Sequence, residues 1–202
     1  MNIVPTPYHR ASSARLNIPL LAMTMLAINA FAQAPAATSK SDSVALFMQM
    51  HTVLSHPRCV NCHPKDDTPK QGLTQHVHSP PMTRGEHNDG PAGLPCKACH
   101  GEANFDPGRM PGAPNWHLAP ASMAWEGKTA AELCRAMTDR KTNGNRSIQA
   151  TVKHLTEDKL VAWGWEPGIN VYGKPREPVP MAKADFNKLV VAWANSGAAC
   201  PD

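Results

Sequence analysis

The chain has 202 residues, with 20 lysines and arginines against 16 aspartates and glutamates, and a formal net charge of +4 at pH 7. This excess is small, and no basic stripe interleaves with the few aromatic residues, so the composition argues against nucleic acid as a partner. The residue types best suited to bind a metal or to form covalent links are the six cysteines and ten histidines.

Residues 1–32 have the pattern of a secretory signal. Arg10 and Arg15 supply positive charge, residues 18–30 form an apolar run, and Ala-Phe-Ala at 30–32 is a small-x-small cleavage site. Without this segment the chain keeps 18 basic and 16 acidic side chains, a formal charge of +2. We therefore predict export to the periplasm; the alternative is an uncleaved segment that anchors the protein in the membrane.

The first helix is predicted to start at the cap residues Ser41 and Asp42, after a flexible Pro/Ala/Ser tail over residues 33–41. We expect it to end near Ser55, because Pro57 disfavours helical backbone before it. Its buried face is predicted from the apolar residues at helical spacing, which are Val44, Phe47, Met48 and Leu54.

The pentapeptide Cys-x-x-Cys-His occurs twice, at residues 59–63 and 96–100. It is the attachment sequence for c-type haem, in which two thiols bond to the haem vinyl groups and the histidine binds the iron. The predicted thioether residues are Cys59, Cys62, Cys96 and Cys99, and the predicted proximal ligands are His63 and His100. Two haem c groups are therefore expected, and their four propionates would bring the protein near neutrality. The alternatives are a four-thiolate zinc site, which needs no histidine after each pair, a thioredoxin-like site and a disulfide framework.

Proline and glycine crowd residues 64–95 and 101–120, and the first interval has no strong helical pattern. In an ordinary chain such intervals would be linkers. Two rigid, apolar haems change this expectation, because irregular backbone can pack around them. Residues 42–128 are therefore predicted to be the diheme-binding region, with the cofactors supplying much of its core.

An iron held by one imidazole needs a sixth ligand if it is to carry electrons without doing further chemistry, and histidine and methionine are the usual ligands. His78 follows the first motif and His117 follows the second, each after a loop rich in proline and glycine. These two histidines are the first choice as distal ligands, although the haem that each would serve stays open. The alternatives are mainly Met110 and Met123, with Met82 behind them, and a methionine ligand would raise the reduction potential.

Residues 129–202 are predicted to be a helical region packed on the haem region in one globular unit. Thr129 and Glu132 form a capping box for a helix to about residue 138, and further helices are predicted from Ser147 to Leu155, from a Thr156 cap, and over residues 182–195. Two cysteines remain outside the haem motifs. In an oxidising compartment, a disulfide between Cys134 and Cys200 is expected.

The chain as a whole resembles diheme c-type cytochromes, and the helix before the first motif is how class I cytochromes c begin. More specifically, it is similar to exported bacterial proteins labelled as cytochrome subunits of isoquinoline 1-oxidoreductase. This likeness covers most of the mature chain and rests on residues 115–120 (NWHLAP), 123–128 (MAWEGK), 132–134 (ELC), 163–168 (WGWEPG) and 197–201 (GAACP). It implies that a molybdenum hydroxylase on another chain passes electrons through this protein towards the respiratory chain.

The expected fold is mainly α and cytochrome c-like, with short helices and long Pro/Gly-rich loops around two covalent haems. The expected function is electron transfer by a periplasmic diheme cytochrome rather than catalysis. The alternative is a diheme enzyme, such as a peroxidase or a sulfur-compound dehydrogenase, with an open iron site and a nearby acid or base from Arg84, Glu86 or His87. A zinc-binding or structural module is a third class.

Overall fold

The computed structural model describes residues 39–202, so the predicted signal and most of the predicted tail lie outside the described residues. The described chain is mainly helical, as predicted. Its helices are α1 (Lys40–Leu54), α2 (Pro57–Val60), α3 (Ala130–Thr138), α4 (Ile148–Glu157), α5 (Lys159–Ala162) and α6 (Lys183–Asn195), and two short strands, β1 (Lys70–Gln71) and β2 (His76–Val77), pair antiparallel. None of these helices is both long enough and apolar enough to cross a membrane.

Helix α1 begins at Lys40, earlier than the sequence predicted. Ser39 is its N-cap: the Ser39 hydroxyl oxygen accepts a bond from Asp42 N–H at 3.1 Å, and the Asp42 carboxylate accepts one from Ser39 N–H at 3.0 Å. This reciprocal pair is a capping box, which satisfies two backbone donors at once. Ser41 and Asp42 are therefore inside the helix, and residues 40–41 do not belong to the tail.

The buried face of α1 differs from the prediction at Met48, and Val44 is only half-buried. Phe47 and Leu54 are buried as expected, together with Met50 and Val53, whereas Met48 is 44% exposed. Successive residues of an α-helix are about 100° apart, so Met48 is turned away from the stripe that Phe47 starts. That stripe packs on α6, where the rings of Phe47 and Trp193 lie 5.6 Å apart.

Residues 61–129 contain no α-helix, which agrees with the absence of a helical pattern after the first motif. The longest ordered features here are the β1–β2 hairpin and three single-turn 3₁₀ helices, Cys96–Ala98, Asp106–Gly108 and Ala121–Met123. Arg84 organises this region: its buried guanidinium donates to Asp66 O at 3.1 Å and to Ala119 O, and pairs with Asp67 at 3.2 Å. The loops are thus fixed by polar contacts.

The C-terminal helices follow the predicted caps with one exception. The capping box of Thr129 and Glu132 starts α3, and Ser147 caps α4, as the sequence predicted. The prediction that Thr156 caps the next helix was wrong, because Thr156 lies within α4 and its hydroxyl donates to Val152 O at 2.8 Å. The cap is Asp158, whose carboxylate accepts bonds from the first backbone donors of α5.

A disulfide joins α3 to the C-terminal tail. The Sγ atoms of Cys134 and Cys200 are bonded, and their Cα atoms lie 5.5 Å apart, within the usual range for a disulfide. Cys134 belongs to the same buried cluster as Phe47, Trp193 and residues of α3, α4 and α6. Residues 39–202 belong to one compact unit, in which helices from both ends of the chain share a core.

Candidate functional site

The first Cys-x-x-Cys-His motif opens onto a cleft in the helical core. Its empty volume, open solvent included, is about 980 Å³. Cys59, Cys62 and His63 line one part of it. The walls otherwise come from every longer helix and are largely apolar, with Leu54, Met137, Leu155, Leu160, Val161, Trp163, Trp165 and Phe186 among the lining residues.

The His63 imidazole has the orientation of a metal ligand. Its Nδ1 lies 2.7 Å from Met123 O, and since a carbonyl oxygen can only accept, Nδ1 carries the proton and Nε2 is left with its lone pair. The ring stacks on Trp125, with centroids 3.5 Å apart and planes 12° from parallel. Burial lowers the pKa of His63 to about 3, so the ring stays neutral, as a metal-binding imidazole must be.

The thiols of the first motif are half-buried and protonated. Burial raises the pKa of Cys59 to about 12 and that of Cys62 to about 11, and neighbouring cysteines add to both shifts, Cys62 to the first and Cys96 to the second. Cys96 of the second motif is therefore near enough to Cys62 to influence its pKa. Within residues 39–202, no group of three or more Cys, His, Asp and Glu side chains is arranged to hold a metal ion, so the four motif thiols do not form a preassembled zinc site.

The second motif repeats the arrangement around its histidine. Cys96 starts a 3₁₀ turn, and the buried His100 places Nδ1 at 2.8 Å from Pro111 O. Its ring stacks on Trp116, with centroids 4.5 Å apart and planes 7° from parallel. Each motif therefore has a histidine with a carbonyl on Nδ1, a tryptophan on its face and a free Nε2.

The predicted distal ligand His78 lies beside the second motif, although it follows the first in sequence. Its ring centroid is 5.9 Å from that of His100, with the two planes at 70°. His78 Nδ1 is 2.8 Å from Pro80 O, so this ring too carries its proton on Nδ1. The structure brings His78 and His100 together and leaves His63 elsewhere.

The other predicted distal ligand, His117, lines the cleft of the first motif together with His63. Its Nδ1 contacts Asn115 O, which again fixes the proton on Nδ1. The preceding residue, Trp116, packs on His100 instead. Two adjacent side chains, Trp116 and His117, therefore lie at two different motifs, the second and the first respectively.

All four predicted histidine ligands donate a hydrogen bond from Nδ1 to a backbone carbonyl. Other histidines have a different partner on Nδ1. His56 Nδ1 accepts from Arg58 N–H at 3.2 Å, so its proton is on the other nitrogen. His76 Nδ1 contacts the Thr74 hydroxyl, and His154 Nδ1 lies 3.3 Å from an Asp158 carboxylate oxygen. In metal sites, the partner of one ring nitrogen sets which nitrogen binds the metal.

The alternative ligands Met110 and Met123 are close in sequence to the carbonyls that hold the proximal histidines. Met123 supplies the carbonyl that holds His63 Nδ1, and Met110 directly precedes Pro111, which supplies the one that holds His100 Nδ1. Nδ1 is on the side of the ring away from Nε2. The Met123 backbone is therefore placed to orient His63, and the Met123 side chain lines the same cleft.

Two unpaired polar atoms mark the first cleft. Trp125 Nε1 and Thr151 Oγ1 are buried and have no hydrogen-bond partner, and both residues line the cleft with Arg146. Buried donors are normally satisfied, so these point to acceptors on a bound molecule. The haem propionates fit this requirement, since they are carboxylates on an otherwise apolar body.

Sequence reasoning missed these donors and the two stacking tryptophans. Thr151 left a signal: with Ile148 and Leu155 it occupies the inward stripe of α4, where a polar residue needs an explanation. Trp116 and Trp125 left none, because each contacts a histidine from a different part of the chain.

The residues proposed for an enzyme site do not converge. Arg84 is occupied by its contacts with Asp66, Asp67 and Ala119, and the side chains of Glu86 and His87 are exposed. None of the three lines the cleft of the first motif. Arg84 therefore fits a structural role in holding the loops, and Glu86 and His87 fit solvated loop residues.

Comparison of the chain with protein-family models, with curated proteins and with solved structures found no match.

Proposed function

We propose that the chain is an exported diheme c-type cytochrome that carries electrons between an oxidoreductase and the respiratory chain. The observation that carries this proposal is the repeated geometry of the two Cys-x-x-Cys-His motifs. In both, a histidine next to the cysteine pair has its Nδ1 proton bound to a backbone carbonyl and its Nε2 free. This is the state that an axial imidazole requires.

The residues of the first cleft fit a haem. Cys59 and Cys62 would hold it by thioether bonds, His63 would bind the iron, and the apolar walls would exclude water. Arg146, Thr151 Oγ1 and Trp125 Nε1 would face the propionates. When bound, the haem supplies one-electron chemistry between Fe(III) and Fe(II), and the protein sets its position and potential.

Electron transfer is favoured over catalysis by the supply of axial ligands. A carrier would keep its irons fully bound by protein ligands, and the chain presents two further histidines, His78 and His117, with Nε2 free. A diheme peroxidase or sulfur-compound dehydrogenase would instead need an open iron site beside an acid or base. Arg84, Glu86 and His87 are not arranged to provide one.

The proposed partner follows from the resemblance described above. A molybdenum hydroxylase on a separate chain would donate electrons, and a respiratory component would accept them. Export, the periplasmic location and removal of residues 1–32 are parts of the same proposal, since haem attachment to this motif and disulfide formation both take place outside the cytoplasm.

Optical spectroscopy of the purified protein tests the proposal. Protein from a bacterial host that matures c-type cytochromes should show a Soret band and, after conversion to the pyridine haemochrome, two haems per chain. A redox titration should show two one-electron steps, and neither ferric haem should bind cyanide rapidly. A colourless protein with stoichiometric zinc would refute the proposal, and rapid cyanide or peroxide binding would favour an enzyme.

A further inference from the structure

We propose that the two haem sites exchange their distal ligands. His78, which follows the first motif, would bind the iron of the second motif opposite His100, while His117, which follows the second motif, would bind the iron of the first motif opposite His63. This inference rests on the proposed function and assigns the ligands of its two sites.

The spacing of His78 and His100 carries the first half of the inference. A metal between two imidazoles, with bonds of about 2 Å and about 1.1 Å from each nitrogen to its ring centroid, sets the centroids about 6 Å apart. The observed separation is 5.9 Å. An interplanar angle of 70° is compatible with such a pair, because a bond from Nε2 to a metal does not dictate how the ring is turned about that bond.

Simple packing of two rings accounts less well for this pair. Edge-to-face aromatic pairs do occur at this separation. However, both Nδ1 atoms are fixed by carbonyls, at Pro80 for His78 and at Pro111 for His100. In the described part of the chain, neither Nε2 has a hydrogen-bond partner. Two imidazoles at this centroid separation, each with Nε2 free of a hydrogen bond, fit a shared metal.

The β1–β2 hairpin explains how His78 reaches the second site. The hairpin is attached to the first motif, since Lys70 N–H donates to Asn61 O at 3.3 Å and Asn61 Nδ2 donates to Gly72 O at 2.9 Å. At its end, His78 N–H donates to Pro69 O at 3.0 Å. The hairpin thus starts at one motif and carries a ligand to the other.

The reverse connection is made by residues 115–119. Ala119 N–H donates to Cys62 O at 2.9 Å, which joins this segment to the first motif. His117 lines the cleft that holds Cys59 and His63, while Trp116 covers His100. Each half of the haem region therefore sends a segment back to the other half, so the two sites are expected to assemble together.

Single-haem variants test the assignment. Cys59→Ala/Cys62→Ala removes the first attachment site and Cys96→Ala/Cys99→Ala removes the second. We expect His78→Ala to convert the haem of the second motif from low-spin to high-spin ferric, seen by electron paramagnetic resonance, and to leave the haem of the first motif low-spin. We expect His117→Ala to do the reverse.

The matched control is His76→Ala, on the same hairpin as His78, which should change neither spectrum. His78→Met should restore a low-spin haem, with the optical absorption band of a sulfur-ligated iron and a higher reduction potential. A high-spin first-motif haem in His78→Ala would overturn the exchange. His154 also lines the cleft of the first motif. The exchange would likewise be overturned if the first-motif haem stayed low-spin in His117→Ala and became high-spin only after His154 was replaced.

A second measurement covers the case in which single-haem variants do not fold. In the two-haem protein with His78→Ala, the high-spin iron should broaden the ¹⁵N-tryptophan signal of Trp116, which stacks on His100, more than that of Trp125, which stacks on His63. Preferential broadening of Trp125 would overturn the assignment. A protein without any Soret band would refute the proposed function itself, which is a different result.

Discussion

The two motif sites share a design but differ in their surroundings. The first opens into a cleft walled by helices from both ends of the chain, among them α1, α4 and α6. The second is built from loops: its Cys99 is exposed, and Leu94 and Phe105 nearby in sequence are 46% and 61% exposed. Haem at the first site would be part of the helical core, and haem at the second would be nearer to solvent.

Because of this difference, we expect the two sites to have different roles, one in stability and the other in electron exchange. A core haem completes the packing of the helices, and burial disfavours the additional charge of its ferric state. A haem near the surface is more accessible to a partner protein. We therefore expect the first site to dominate folding and to have the higher potential, and the second to exchange electrons with partners.

Loss of the first attachment site should have the largest effect. Cys59→Ala/Cys62→Ala would leave the core cleft without the haem proposed to fill it, whereas Cys96→Ala/Cys99→Ala would affect only loops. We expect the first variant to melt at least about 10 °C lower than the second, which corresponds to a few kcal/mol for a chain of this size. Circular dichroism melts measure this, and equal melting temperatures would contradict the comparison.

Removal of the disulfide should be the next largest change. Cys134→Ser/Cys200→Ser releases α3 from the tail and should lower the free energy of unfolding by about 2 to 4 kcal/mol, measured by denaturant titration. Because these cysteines are part of the helical core, both haems should remain attached and low-spin in the folded variant. A second-site haem that turned high-spin would show that the loops depend on this bond.

Thr151→Val tests the propionate contacts of the first cleft. The variant keeps the shape of the side chain and removes its hydroxyl, so we expect a loss of about 1 kcal/mol in the holoprotein. Without the donor, the negative charge of the propionate is less offset, which stabilises Fe(III). We therefore expect the reduction potential of the first-site haem to fall by tens of millivolts. A redox titration should show the second step unchanged. An equal shift of both steps would argue against a local contact.

The smallest expected effect is on acid stability near the first cleft. A hydrogen bond from His154 and the backbone bonds of the α5 cap lower the pKa of Asp158 from 3.8 to about 2. A lowered carboxyl pKa stabilises the fold above pH 3.8, and this contribution is lost as the pH falls towards 2. Asp158→Asn keeps a good cap without the charge, so its stability should depend less on pH in this window. An unchanged pH dependence would contradict the assignment.

The sequence was sufficient where structure depends on neighbours along the chain. The caps at Thr129 and Ser147 predicted the starts of α3 and α4, since a cap requires only a few successive residues. The disulfide followed from counting, because Cys134 and Cys200 remained after the motifs were assigned. The predictions for Met48 and Thr156 were wrong, because Met48 lies outside the buried stripe of α1 and Thr156 lies within α4.

The pairing of the histidines could not be predicted from sequence. Proximity along the chain associates His78 with the first motif, whereas the hairpin takes it to His100 of the second. The same holds for the tryptophans that stack on the motif histidines, and for the unpaired hydroxyl of Thr151 in the cleft. These features depend on how loops return in three dimensions, which residue spacing does not specify.

Intact-mass measurement tests the central claim most directly. Protein exported by a host that attaches haem to Cys-x-x-Cys-His motifs should have the mass of the chain from residue 33 plus two haem groups, with the added mass retained after denaturation in acid. Exported protein with the mass of the polypeptide alone would contradict the account.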